Sequence, residues 1–222
     1  MSADLATNAY DTLRSGILTG AIPGDTLWSD REIAARMNLS RTPVRDAMQR
    51  LAAEGLVEVI PRRGTRVLPL LASDVLEIHQ IAKALELEAA RLLARQNEPD
   101  LLSLHQAVDD MHTALAEDDR EKWAHADTRF HFTVVDQCGN KRLSQLYHAQ
   151  RGLTDRARYF ALYLRPLPLK SAQEHRAMLE ALVARDEDQL AAIYTTHWDR
   201  TTAELVDLVQ KHQPVMPNIS QK

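Results

Sequence analysis

A single cysteine, Cys138, stands in 222 residues, so the chain carries no internal disulfide and no cysteine metal cluster. No apolar run approaches the roughly 20 residues that a membrane-spanning helix needs. The first fifteen residues, MSADLATNAYDTLRS, lack the apolar core of a secretory signal. Glycine and proline are few, at seven and nine, which disfavours a loop-rich or disordered chain. Lysine is missing from the first 70 residues, and histidine from the first 78. These absences predict a cytoplasmic, helix-rich chain of one large or two modest domains, with no membrane partner.

What charge there is, is unevenly placed. The net charge is −4. Residues 1–70 hold nine arginines against eight acids, and six of those arginines fall between Arg41 and Arg66. A basic patch on an acidic chain suits docking on phosphate.

The periodicities divide the chain near residue 70. A first helix is predicted over 5–19, with Ala6, Tyr10, Leu13 and Ile17 on one face. Residues 21–27, with a Pro-Gly turn, read as a loop. Ser29 and Glu32 have the spacing of a capping box for a short helix to Met37. Ser40 caps a third helix, and Pro43 sits in its first turn, where a missing N–H does no harm. Val44, Ala47, Met48, Leu51 and Ala52 form its buried stripe, and Gly55 ends it. Two β-prone runs follow, joined by Pro61-Arg62-Arg63-Gly64. This is the order of a winged helix-turn-helix. Beyond Ser73 six helices are predicted, over about 73–96, 98–117, 119–138, 141–163, 170–185 and 187–212, with a frayed tail from Gln213.

In a helix-turn-helix the second helix enters the major groove with its N-terminal residues at base edges. Arginine suits guanine because its fork meets two acceptors at once. Ser40, Arg41, Thr42 and Arg45 bring that chemistry to the third helix start. Arg31 is placed to reach the backbone, and Arg62 and Arg63 to enter the minor groove, with Gly64 permitting the turn. An arginine-rich helix start alone is more often a solvated face. Cap, spacing and hairpin together favour double-stranded DNA.

The second half has a different cluster. Asp127 and His131 are four apart on a face with Trp123, Phe130, Val134 and Cys138. His175 shares a stripe with Ala172, Met178, Leu179 and Leu182. His197 shares one with Leu190, Ile193, Tyr194, Leu205 and Leu208. A buried carboxylate is costly unless paired or ligated. One carboxylate and three imidazoles suit a divalent metal ion such as Zn, Ni, Mn or Fe. A hydrogen-bonded core histidine is the competing reading at each position taken alone.

Residues 8–68 resemble the DNA-binding domain of the GntR family of bacterial transcription regulators. The resemblance is carried by LRSGI (13–17), Ile22-Pro23-Gly24, SDREIA (29–34), LSRTPVR (39–45), AMQRL (47–51) and Gly55-Leu56-Val57. It implies that Arg31, Arg41, Thr42, Arg45 and Gly64 match operator-contacting positions, with Arg63 beside that glycine. Residues 73–210 resemble the FCD ligand-binding domain of the FadR-type branch. The matching features are Leu85-Glu86, Ala89-Ala90, Asp127-x-x-Phe130-His131, Gly139-Asn140, Glu174-His175 and His197. The resemblance implies that Asp127, His131, His175 and His197 bind a metal that anchors a small carboxylate effector. Six helices suggest the shorter, VanR-type form. One departure stands out. Many such domains carry arginine four residues before the Leu-Glu glutamate, where this chain has Ala82. Arg151 and Arg156 are the substitutes named for effector binding, with Arg158 a third.

The expected protein is mainly α, with a winged helix-turn-helix over 1–70 and an antiparallel helical bundle over 71–222. It is expected to be a homodimeric, ligand-responsive repressor that binds operator DNA, a metal ion and a small organic acid, and not an enzyme. The alternatives are a metal-sensing regulator and a metalloenzyme of the bundle.

Overall fold

The computed structural model describes residues 2–212, with side chains from Thr7 onward. The tail expected to fray and the side chains of Leu5 and Ala6 lie outside the described residues.

The N-terminal head is built from α1 (Ser2–Leu18), β1 (Leu27–Trp28), α2 (Asp30–Met37), α3 (Arg41–Ala53), β2 (Val57–Ile60) and β3 (Gly64–Val67). Leu13, Ile17, Ile33, Val44, Leu51, Leu56 and Val67 form its core. The capping box of α2 is present. Ser29 Oγ accepts from Glu32 N, and Glu32 Oε2 accepts from Ser29 N at 2.8 Å. Ser40 holds the N-cap position of α3 in extended conformation but makes no side-chain cap bond. Its hydroxyl is therefore left to solvent or a ligand.

The wing has three strands rather than two. β1 lies in the segment expected to be a loop, pairing antiparallel with β3 through Leu27–Arg66 and Trp28–Thr65, in the order β1-β3-β2. Two residues are too few to show a period of two, and the pairing is distant in sequence. Gly64 begins β3 at φ +122°, and a Cβ there would strike the Trp28 carbonyl. Only glycine meets both conditions.

The C-terminal part holds α4 (Ala72–Ala94), α5 (Leu102–Ala116), α6 (Arg120–Gln137), α7 (Lys141–His148), α8 (Arg151–Ala161), α9 (Leu169–Ala184) and α10 (Glu187–His212). The helix expected over 141–163 is two, broken at Ala149-Gln150. The described bundle thus has seven helices, and a count of six no longer supports the shorter form. Leu93, Leu104, Met111, Trp123, Phe130, Met178, Leu182 and Tyr194 fill its core.

Helix α8 also touches the head. Gly152 is buried so closely against α3 that an added Cβ would strike the Glu54 carbonyl. The end of α3 and the start of α8 are therefore in backbone contact.

Candidate functional site

Three histidines meet inside the bundle. His131 comes from α6, His175 from α9 and His197 from α10, all buried, with one nitrogen of each within 4.8 Å of the others. His131 Nε2 and His175 Nε2 are 3.1 Å apart. Asp127 Oδ1, one turn before His131, lies 3.8 Å from His131 Nε2 and 3.4 Å from His175 Nε2. Bonds of about 2.1 Å to a shared ion place donors roughly 3 to 4 Å apart, and these separations fit.

The outer nitrogens explain why the inner ones converge. Glu86 Oε1, on α4, accepts from His131 Nδ1 at 2.5 Å. The Ser171 carbonyl accepts from His175 Nδ1 at 2.6 Å. Glu174 Oε2 accepts from His197 Nδ1 at 2.7 Å. A carbonyl can only accept, so His175 carries its proton on Nδ1 and turns a lone pair inward. Holding one ring nitrogen to orient the other is how proteins build imidazole ligands.

The electrostatics divide the set. Burial lowers the pKa of His175 well below the ordinary value and also lowers that of His197, keeping both neutral near pH 7. Burial opposes the charged form of His131 too, but Glu86 and Asp127 outweigh it and raise the pKa to about 9. Burial would raise Asp127, yet Arg158 and the two nearest histidines hold it well below the carboxylate range. Glu174 is likewise pulled down to about 2 against its burial, by His197 and Arg200. The cluster thus presents a carboxylate and two neutral imidazoles, with His131 a third nitrogen donor once an ion displaces its proton, and that donor set suits a divalent cation.

Beside the histidines is a cavity of about 30 Å3, lined among others by His79, Asp127, Arg158, Arg165, Trp123 and Trp198. Trp123 Nε1, Trp198 Nε1 and Arg165 Nε are buried donors with no hydrogen-bond partner among the described residues. Buried donors without acceptors are costly, and three around one cavity favour an oxygen-bearing ligand. The volume has room for a water or two.

A line of charges leaves this site. Arg158 Nε pairs with Asp127 Oδ2 at 2.6 Å, and Arg158 Nη1 with Asp155 Oδ1 at 3.0 Å. Asp155 Oδ2 pairs with Arg14 Nη2 of α1 at 2.6 Å. Arg14 Nε pairs with Glu54 Oε2, the C-cap of α3, at 3.0 Å. Tyr10 donates to Glu54 as well, and Arg50 stacks 3.6 Å over the Tyr10 ring.

On the head, Arg31, Ser40, Arg41, Thr42, Arg45 and Arg63 are all exposed, around the α2 and α3 starts and the wing tip. Arg45 pairs weakly with Asp30 at 3.4 Å. Arg31, Arg41, Arg62 and Arg63 have no ion-pair partner among the described residues.

Comparison with known proteins agrees with both halves. Residues 5–67 match the family model described as bacterial regulatory proteins, gntR family, and residues 77–200 match the FCD domain. The chain belongs to the GntR family. It is 32% identical over 194 residues to the "Probable D-xylose utilization operon transcriptional repressor" of Paenarthrobacter nicotinovorans, covering 87% of this chain and 85% of that one. It is 26% identical to the HTH-type transcriptional repressor RspR of Escherichia coli K12, over 91% of this chain and 90% of that one. The structure of E. coli McbR/YncC shares the fold, with a TM-score of 0.76 at 20% identity over 94% of this chain and 99% of that one. The matched families and these relatives are transcription regulators and not enzymes, which removes the metalloenzyme alternative.

Within this GntR-family regulator, Asp127, His131, His175 and His197 are brought together. Arg151 and Arg156 are not part of their cavity. Arg151 is exposed, paired with Asp155 and stacked over Phe132. Arg156 is buried against the interdomain linker, donating to the Leu68 carbonyl. Of Arg151, Arg156 and Arg158, only Arg158 lines the cavity. His79, which no sequence motif marks, also lines the cavity, packs edge-on against Trp198, and is held neutral mainly by burial, with its pKa lowered to about 3. Glu86 and His79 share the buried stripe of α4 with Val75, Ala82, Ala89 and Leu93, and that spacing is the signal that could have found them. No helix among the described residues is long and apolar enough to cross a membrane.

Proposed function

We propose that this GntR-family regulator is a cytoplasmic, homodimeric repressor whose operator affinity is set by a divalent metal ion and a small organic acid in the bundle. The observation that carries the reading is the convergence of three oriented imidazoles on one carboxylate. Asp127, His131, His175 and His197 would hold the ion. A bound ion would supply a Lewis-acid centre able to take a carboxylate oxygen. Arg158 and the unpartnered donors of Trp123, Trp198 and Arg165 would hold the remaining oxygens of such a ligand.

Each head would read one half-site of an inverted repeat. Arg41, Thr42 and Arg45, with Ser40 beside them, would meet base edges and phosphates. Arg31, Arg63 and the Gly64 turn would follow the backbone and minor groove. A ligand shifts the head only if it binds one arrangement better than the other. An organic acid does not fit a space of about 30 Å3, so its entry must displace the walls. Arg158 is one wall, and it is tied through Asp155 to the head.

That small volume also favours a second reading, in which the ion alone is the signal. Gel shifts with dialysed protein separate the two. Release of operator by metal without organic acid selects metal sensing. Release only when a small acid is added selects the first.

The site itself is tested by metal content and thermal midpoint for the wild type, His175→Ala and His197→Ala. Zn, Ni and Mn are each supplied after dialysis against chelator. An ion at about 100 times its dissociation constant stabilises the folded state by about 2.7 kcal/mol. The wild type should show that shift and the variants lose it. Equal, substoichiometric metal in all three would reject the site.

A further inference from the structure

A second cavity lies away from the histidines, between head and bundle, with a volume of about 540 Å3. Its walls come from Ile22 and Pro23 after α1, from Pro69 and Leu71 in the linker, and from Phe160 and Leu164 at the end of α8. Leu71, Tyr163 and Leu164 on these walls are exposed apolar side chains. The size suits a drug-sized molecule, and domain junctions are common places for such sites.

Arg156 lines the same cavity and is only 6% exposed. Its one hydrogen bond among the described residues is to the Leu68 carbonyl. No carboxylate among the described residues lies within ion-pair distance of it. Asp25 also lines the cavity, but beyond that distance, and Asp74 is occupied with the Leu71 N–H at 3.0 Å. His212, the other basic residue on the walls, is turned to the Leu208 carbonyl. A buried guanidinium without a counter-charge is unfavourable. Burial lowers the pKa of Arg156, and Asp74, beyond ion-pair distance, offsets it only in part, which agrees with a cation that has no directly paired carboxylate.

We propose that this interdomain cavity is a second ligand site, for a small monoanionic acid with an apolar body whose carboxylate pairs with Arg156. The apolar part lies against Ile22, Phe160 and Leu164. Because the walls belong to head, linker and bundle, the occupant holds the head in one orientation. The site is separate from the histidine cluster and does not depend on the metal reading.

The test is calorimetric titration of the full chain in EDTA with 4-phenylbutyrate and with the neutral 4-phenylbutan-1-ol. The acid should bind once per chain, and the alcohol at least about tenfold more weakly, because a hydrogen-bonded charge pair is lost. Arg156→Met should bring the acid to the level of the alcohol. Leu164→Asp, at an exposed position, should weaken the acid while leaving Arg156 in place. No binding, equal binding of acid and alcohol, or acid binding undiminished in Arg156→Met would overturn the proposal. So would binding that appears only after removal of residues 213–222, which would give the cavity to the chain's own tail.

Discussion

Replacing Asp155 with alanine is the sharpest test of how head and bundle are joined. Asp155 is 2% exposed and carries three cations. The Arg14 and Arg158 pairs, at 2.6 and 3.0 Å, are largely removed from water, while the Arg151 pair at 3.3 Å is half exposed. Removing one member of a buried pair costs about 3–5 kcal/mol, because the partner is left charged and desolvated. Here the loss falls at the low end, near 3 kcal/mol, since Arg14 keeps Glu54 and Arg158 keeps Asp127. The exposed Arg151 pair adds at most about 1 kcal/mol and is discounted. For a chain of this size, 3 kcal/mol corresponds to a fall of about 6–12 °C in thermal midpoint. Asp155→Asn keeps an acceptor and should fall between. A double-mutant cycle with Arg14→Met, followed by denaturant unfolding, isolates the interdomain pair. A coupling of about 0.5–3 kcal/mol is expected for a direct contact. A midpoint lowered by less than 2 °C in Asp155→Ala, or a coupling indistinguishable from zero, would refute the reasoning.

Four further outcomes follow from the site and the head. Glu174→Gln weakens the acceptor that orients His197 and should reduce metal affinity about 10–100-fold with the fold intact, measured by competition with a metal indicator; unchanged affinity would remove its role. Gly64→Ala puts a Cβ at φ +122° against the Trp28 carbonyl and should cost about 1–3 kcal/mol of strain, with operator affinity reduced in gel shifts; an unaltered thermal midpoint would contradict that. Arg63→Ala, if the wing rides on phosphate, should reduce the salt slope of operator binding by about one, while Arg41→Ala should change base preference at one position; identical slopes and preferences would deny both contacts.

The head is legible in the sequence because its signals are local. The Ser29–Glu32 capping box, Pro43 in the first turn of α3 and Gly55 after its end each act within a few residues. β1 is not legible, because a two-residue strand exists only through its pairing with Thr65 and Arg66. In the bundle, Asp127 and His131 declare a shared face by spacing, and His175 and His197 by the apolar stripes around them. The arginines of α8 defeat the same logic. Burial on that helix is nearly continuous from Gly152 to Arg158, because one side meets the head and linker and the other meets the bundle. Periodicity marks an inward face only where a helix has an outward one. Arg156 and Arg158 are both buried, two residues apart, and only the fold shows that they serve different cavities.

The double burial of α8 joins head and bundle by charge as well as by apolar packing. Apolar contacts across the junction tolerate small slides, because dispersion has no direction. Ion pairs with fixed geometry do not. Asp127, Arg158, Asp155, Arg14 and Glu54 alternate in sign, and each interior member is held from both sides. An ion held by Asp127 would draw on the carboxylate that Arg158 now uses, and a ligand widening the cavity would move Arg158. Three further contacts lead from Arg158 to Glu54 at the end of α3. Spatial continuity alone does not demonstrate coupling, so the chain has to be cut and the response measured. Arg14→Met removes the link without touching the metal ligands or the DNA-facing surface. It should keep operator binding and metal content near wild type, while the effect of metal or acid on operator affinity shrinks by about 0.5–2 kcal/mol, the range mutations on coupling networks produce. A variant that folds, binds metal and still responds in full would place the coupling elsewhere.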